Sequence, residues 1–72
     1  MPTHRHVMPN GDTFRNNSQR RYVVATYIPS RSQWQAEYRS DVHSRVLAKW
    51  RECARRGYQS CVVDNETGEV IR

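Results

Sequence analysis

Residues 40–58 read SDVHSRVLAKWRECARRGY, the one strongly periodic stretch in the chain. At about 100° per residue, Val42, Val46, Leu47, Trp50, Cys53, Ala54 and Gly57 come to one side. Arg45, Ala48, Lys49, Glu52, Arg55 and Arg56 fall on the other, with Arg51 on a flank. The spacing predicts an amphipathic helix with a basic back. Ser40 and Asp41 are both suitable N-caps, and the Asp41 carboxylate suits the positive end of the helix dipole. Asp41 with Arg45, and Glu52 with Arg56, stand at i,i+4 in the favourable orientation. Gly57 supplies the left-handed residue that commonly ends a helix.

What precedes the helix decides what it packs on. RRYVVATYI, residues 20–28, is rich in β-branched and aromatic residues and ends at Pro29, so it reads as a strand. Both of its faces are largely apolar: Tyr22, Val24, Thr26 and Ile28 form one, Arg21, Val23, Ala25 and Tyr27 the other. A strand of that kind belongs inside a sheet. WQAEYR, residues 34–39, admits two readings. Ser32 and Gln35 have the spacing of a capping box that would open a helix. Trp34, Ala36 and Tyr38, however, alternate with Gln35, Glu37 and Arg39 at period two. On one continuous helix Arg39 would lie in the centre of the apolar stripe, so a second strand, turned back through residues 29–32, is the better reading.

After the helix, QSCVVD (residues 59–64) reads as a strand, and Asn65 and Gly68 supply a turn able to take positive φ. EVIR (residues 69–72) makes a short last strand. The order ββαββ gives an α+β domain over residues 20–72, with one amphipathic helix packed on a four-stranded, mainly antiparallel sheet. A right-handed crossover through the helix makes the second and third strands parallel, with the first between them, in spatial order 2-1-3-4. One helix covers one face of that sheet. Residues 1–19 are polar and aperiodic, with Pro2, Pro9, Asn10-Gly11 and Asn16-Asn17-Ser18 as closely spaced turn signals. Val7, Met8 and Phe14 are the only large apolar residues before Tyr22, and the segment reads as a flexible N-terminal arm.

Composition narrows the class. A chain of 72 residues makes one domain with a thin core. With 36% hydrophobic and 26% charged residues it is neither wholly disordered nor collagen-like. It has no apolar run near 18 residues, the length a membrane span needs. The N-terminus carries no apolar core of a secretory leader, so a cytoplasmic setting is expected. Cys53 and Cys61 are too few for a disulfide framework, and their spacing matches no common zinc pattern. They read as small buried hydrophobes. His4-Arg5-His6 in the arm is only superficially a metal pair, and a joint site of His43, Cys53 and Cys61 is geometrically conceivable if helix and strand face each other. No metal or cofactor is expected.

Net charge is +5, from 12 basic residues against 7 acidic, and all the basic residues but Lys49 are Arg. Guanidinium forks suit phosphates, carboxylates and aromatic faces. A GC-rich coding sequence produces the same excess without any partner. Two binding surfaces follow. Arg21, Val23, Ala25 and Tyr27 would form an apolar strip on the sheet face the helix leaves bare, suited to a protein partner or a homodimer. Its rival is an arm folded back with Phe14 over the same face. Arg20, Arg21, Arg45, Lys49, Arg51, Arg55 and Arg56 would instead contact nucleic-acid phosphates, against a solvated helix back partly neutralised by Asp41 and Glu52. The glycine-aromatic strand motif of RNA-recognition sheets and the tight basic run of a DNA-binding helix are both missing.

No catalytic residues are expected. The chain has no nucleophile elbow, no phosphate-cradling glycine loop and no carboxylate pair set apart from helix pairing or turns. His43, on the apolar stripe, is poorly placed for acid–base work. The sequence thus points to a small basic binding protein without chemistry of its own and with no small-molecule substrate or membrane partner. An accessory or inhibitory role for a phage or other mobile element fits its size. Protein–protein contact through the bare sheet face is the leading expectation, and nucleic-acid binding through the helix back the alternative.

Overall fold

The computed structural model describes residues 3–71. Strands β1 (His4–Val7) and β2 (Thr13–Asn16) come first, then β3 (Tyr22–Ile28), β4 (Gln33–Ser40), helix α1 (His43–Arg55), β5 (Ser60–Asp64) and β6 (Val70–Ile71). The protein is α+β, with one helix and two sheets among the described residues: a four-stranded antiparallel sheet in the order β4-β3-β5-β6, and a two-stranded sheet of β1 and β2. The larger sheet has the expected arrangement, with β3 inside it. The expected ββαββ string covers only that part of the chain, because two further strands precede it.

Those two strands correct the reading of the N-terminal segment as a flexible arm; of the 1–19 span expected for it, residues 1 and 2 lie outside the described residues, as does residue 72 of the expected last strand. Asn10-Gly11 closes a tight connection, in which Gly11 takes φ +89° and donates its N–H to the Met8 carbonyl at 2.9 Å. The antiparallel register sets His4 opposite Asn16, Arg5 opposite Arg15, His6 opposite Phe14 and Val7 opposite Thr13. Side chains on a strand alternate between faces. His6, Phe14 and Asn16 are buried, whereas Arg5, Val7, Thr13 and Arg15 are exposed.

The hairpin covers the sheet face that the helix does not reach. Met8 and Phe14 pack there with Val23, Ala25, Trp34, Cys61 and Val63. Across the sheet, Val46 and Cys53 of α1 pack with Val24 and Val62, with Trp50, Tyr22, Tyr38 and Ile71 at the margin. Strand β3 is apolar on both sides because each side has its own core. One helix covers one face, as expected; the hairpin supplies the other cover.

Strand β4 serves both cores through one irregularity. Val24 pairs with Tyr38 and Ala25 with Ala36, so Glu37 is an extra residue, a β-bulge. In a regular strand Trp34, Ala36 and Tyr38 would share a face. The bulge sends Trp34 and Ala36 to the hairpin side and Tyr38 to the helix side.

The helix begins later than its capping residues imply. Val42 occupies the N-cap position and makes no side-chain cap hydrogen bond. Ser40 ends β4, its hydroxyl accepting the Val42 N–H at 3.0 Å. Asp41 turns away from the helix and toward Arg20 and Arg21, so its expected pairing with Arg45 does not form. At the other end Gly57 takes φ +84°, as a left-handed stop requires. No helix among the described residues is long and apolar enough to cross a membrane.

Candidate nucleic-acid interface

The residues expected to form an open apolar strip are not available in this fold. Val23 and Ala25 are 0% exposed beneath the hairpin. Tyr27 is half-buried, its ring tilted against Trp34 at 5.4 Å between centroids. Arg21 sits at the end of the strip, where its guanidinium meets Asp64 at 3.1 Å and Glu66 at 3.4 Å. The physical reason is in the pattern of residues 4–16, which places Phe14 inward and brings Met8 to the end of the hairpin over the same apolar surface.

A polar latch fixes the hairpin at this end of the sheet. Asn65 Oδ1 accepts hydrogen bonds from His6 Nε2 at 2.9 Å and Asn16 Nδ2 at 3.1 Å. Its Nδ2 donates to Asn16 Oδ1 at 2.9 Å and to the Arg20 carbonyl at 3.1 Å. One side chain of the β5–β6 turn thereby spends its full hydrogen-bonding capacity on the N-terminal hairpin and the linker that follows it. Next to it, burial opposes ionisation of Asp64. The Arg21 side chain and the backbone N–H groups of Glu66 and Thr67 outweigh that effect and hold its carboxyl below the usual range. Asp41 is also held low, first by the Arg21 backbone N–H and then by the Arg20 side chain. Bonding to Asp64 raises the Arg21 pKa in turn.

These contacts divide the expected nucleic-acid residues into two groups. Arg20 and Arg21 are neutralised locally by Asp41, Asp64 and Glu66, and serve the joint between hairpin and sheet. The helix cations are different. Glu52 meets Lys49 at 3.6 Å and Arg56 at 3.0 Å, the latter pair as expected from the sequence. Arg45, Arg51 and Arg55 are exposed and form no ion pair among the described residues.

Their arrangement follows from the helix period. Val46 and Cys53 point into the core, which sets Ala48 and Arg55 on the opposite side. Ala48, a side chain too short to fill space, floors two adjoining open depressions. One, of about 410 Å³, lies toward β4 and is bounded by Tyr38, Arg45, Lys49, Glu52 and Arg55; the other, of about 550 Å³, is bounded by Arg51, Ala54 and Arg55. A smaller hollow of about 260 Å³ continues the first past Tyr38 to Arg39 and to the Arg20–Asp41 pair. The result is a shallow basic surface running from the helix back to the edge of β4.

The remaining candidate groups do not assemble. His43 is exposed rather than set in the core, and its ring lies 5.2 Å from that of Tyr22. Cys53 and Cys61 are both buried but sit on opposite sides of the sheet, so they form no joint site with His43. Among the described residues no group of three His, Cys, Asp or Glu side chains is placed to hold a metal ion. Arg5, Arg15 and Arg39, which form no ion pair among the described residues, were not among the sequence candidates. The clue to the first two was the Asn10-Gly11 pair, a hairpin turn signal between two short polar segments.

No family model, curated protein or solved structure matches this chain.

Proposed function

We propose that this protein is a non-catalytic nucleic-acid-binding module that holds a phosphate backbone against the outward face of α1. The observation that carries the reading is the set of three exposed arginines without an ion pair among the described residues, Arg45, Arg51 and Arg55, around the low floor at Ala48. Glu52 is the only acidic residue of the helix, and Lys49 and Arg56 flank it. A guanidinium with no carboxylate to satisfy it keeps its donors for an external anion, and phosphate oxygens fit its fork. Cations spread along a helix back read the backbone and not the base edges, so binding is expected to be independent of sequence.

The other expected partner, a protein or a second copy docking on Arg21, Val23, Ala25 and Tyr27, requires the hairpin to leave its core, which weakens that reading. The edge strand β4 is also poorly suited to strand addition, since it carries a bulge at Glu37 and the charges of Glu37 and Arg39.

The test is gel retardation of a 20-bp duplex across a salt series. Binding should weaken steeply with salt, and the variant Arg45→Gln/Arg51→Gln/Arg55→Gln should lower the log–log salt slope by about 2–3, at roughly 0.9 per lost phosphate contact. Circular dichroism should be unchanged, because all three side chains are in solvent. A duplex left unbound at low salt, or a variant with the wild-type slope, would refute the reading.

A further inference from the structure

The hairpin carries a second basic feature on the far side of the sheet. Arg5 and Arg15 are directly opposite one another in the β1–β2 register, and both are exposed. Directly opposed residues on one face have Cβ atoms roughly 5 Å apart, and like charges so placed repel. Neither guanidinium makes an ion pair among the described residues. The pattern forces them outward together, since His6, Phe14 and Asn16 take the inward positions. The neighbouring outward pair is Val7, 71% exposed, with Thr13. The outer face is therefore a small two-stranded ribbon with paired cations and no acid in either strand; the hairpin's one acid, Asp12, stands in the connection, beside the hollow that Arg15 also lines.

The layer order separates this ribbon from the helix surface. The hairpin packs on the Val23 and Val63 side of the sheet, and α1 packs on the Val24 and Val62 side. A straight duplex lying on Arg45, Arg51 and Arg55 is screened from Arg5 and Arg15 by the whole sheet. Two facing guanidinium groups form a fork pair for one phosphodiester, and a bound anion removes the repulsion between them.

We infer that the Arg5–Arg15 ribbon is a second phosphate-backbone site, so that one molecule bridges two nucleic-acid segments, one on the helix and one on the hairpin. This rests on the helix reading above. It assigns the protein a joining or condensing action that a single surface would not provide.

The experiment uses the full chain and two duplexes of 20 bp, one immobilised on beads and one fluorescent in solution, at low salt. The wild type is expected to retain the second duplex on the beads. Arg5→Thr/Arg15→Thr relieves a like-charge pair and inserts a good strand former, so the fold should persist. It is expected to keep its affinity for a single duplex within about threefold and to lose most of the bead-captured fluorescence. Three outcomes would overturn the proposal. One is equal capture by variant and wild type, which would assign bridging to self-association. Another is no capture by wild type that binds a single duplex normally. The third is a large loss of single-duplex affinity in the variant, which would mean that one duplex wraps the β4 edge to reach both surfaces. Absence of single-duplex binding by the wild type refutes the helix reading itself and is thus distinguishable from all three.

Discussion

Phe14→Ala is the most direct test of the three-layer architecture, because a flexible arm and a packed hairpin give opposite answers. Phe14 is 4% exposed and lies among Met8, Val23, Ala25, Trp34, Cys61 and Val63. Removing a fully buried Phe side chain forfeits about 1.5–3 kcal/mol of transfer free energy. If half of the roughly 100 Å³ vacated stays open, the cavity adds about 1 kcal/mol at about 24 cal/mol per Å³. The sum, about 3–4 kcal/mol, is a large share of the roughly 4–11 kcal/mol expected for a domain of this size. It corresponds to a fall in Tm of about 15–25 °C. Urea melts followed by circular dichroism measure the difference. Trypsin cleavage after Arg5, Arg15 and Arg20 measures whether the hairpin detaches before the sheet unfolds. Detachment caps the loss at the docking free energy, so the melt would then shift less while cleavage accelerates. A shift below about 0.5 kcal/mol with unchanged cleavage would refute the packed hairpin, since a change of that size is typical of an exposed site.

Two further outcomes follow from the same end of the molecule. Asn65→Ala strips the buried side chains of His6 and Asn16 of their shared partner, and two unsatisfied groups at about 1–3 kcal/mol each put the loss at about 2–6 kcal/mol in a urea melt; a loss no larger than that of an exposed alanine substitution would show that the latch does not form. Asp64 and Asp41 ionise more readily in the folded chain than in the unfolded one, so their contribution is fully present above the unfolded carboxyl value near 4 and is lost as pH falls through the lower folded values; urea midpoints should drop below about pH 4, and Asp64→Asn should be weaker at pH 6 with a shallower acid slope, whereas an unchanged slope would contradict the assignment of Asp64.

The four-stranded sheet and its helix were legible because their signals are redundant. The stretch around Val46, Trp50 and Cys53 has a clean helical period, and Val23, Val24 and Ala25 mark an interior strand on both faces. Three features were not legible, for related reasons. In β1 and β2 the inward positions are filled mostly by His4, His6 and Asn16, so alternation of apolar and polar residues, the usual strand signal, is carried by Phe14 almost alone. The burial of His6 and Asn16 is made possible by Asn65, 59 and 49 residues away in sequence, and no local pattern reveals such a partner. In β4 the even-numbered apolar residues Trp34, Ala36 and Tyr38 imply one face, and only the bulge at Glu37 divides them between two cores. Ser40 and Asp41 had the right chemistry for a helix cap, but the pull of Arg20 and the Arg21 backbone on Asp41 is tertiary and outweighs the local preference.

The arrangement of charge bears on whether the arginine excess is more than a habit of coding. A coding bias acts on the choice of Arg over Lys and is blind to where carboxylates stand. The acidic residues of this fold are unevenly placed. Asp41, Asp64 and Glu66 gather where the hairpin linker meets β5 and the turn after it, and there they hold Arg20 and Arg21. Glu52 is the lone acid of the helix, and the β1 and β2 strands have none. Positive charge is thereby cancelled where it supports the joint between layers. On the outward surfaces Glu52 engages only Lys49 and Arg56, and Asp12 stands in the hairpin connection, so Arg45, Arg51, Arg55, Arg5 and Arg15 keep no ion pair among the described residues. Both faces of the sheet are filled, so an external partner meets those surfaces and not the apolar core. Guanidinium groups without an ion pair among the described residues cost the fold some self-repulsion, most plainly at Arg5 and Arg15, and the proposed polyanion would convert that repulsion into binding.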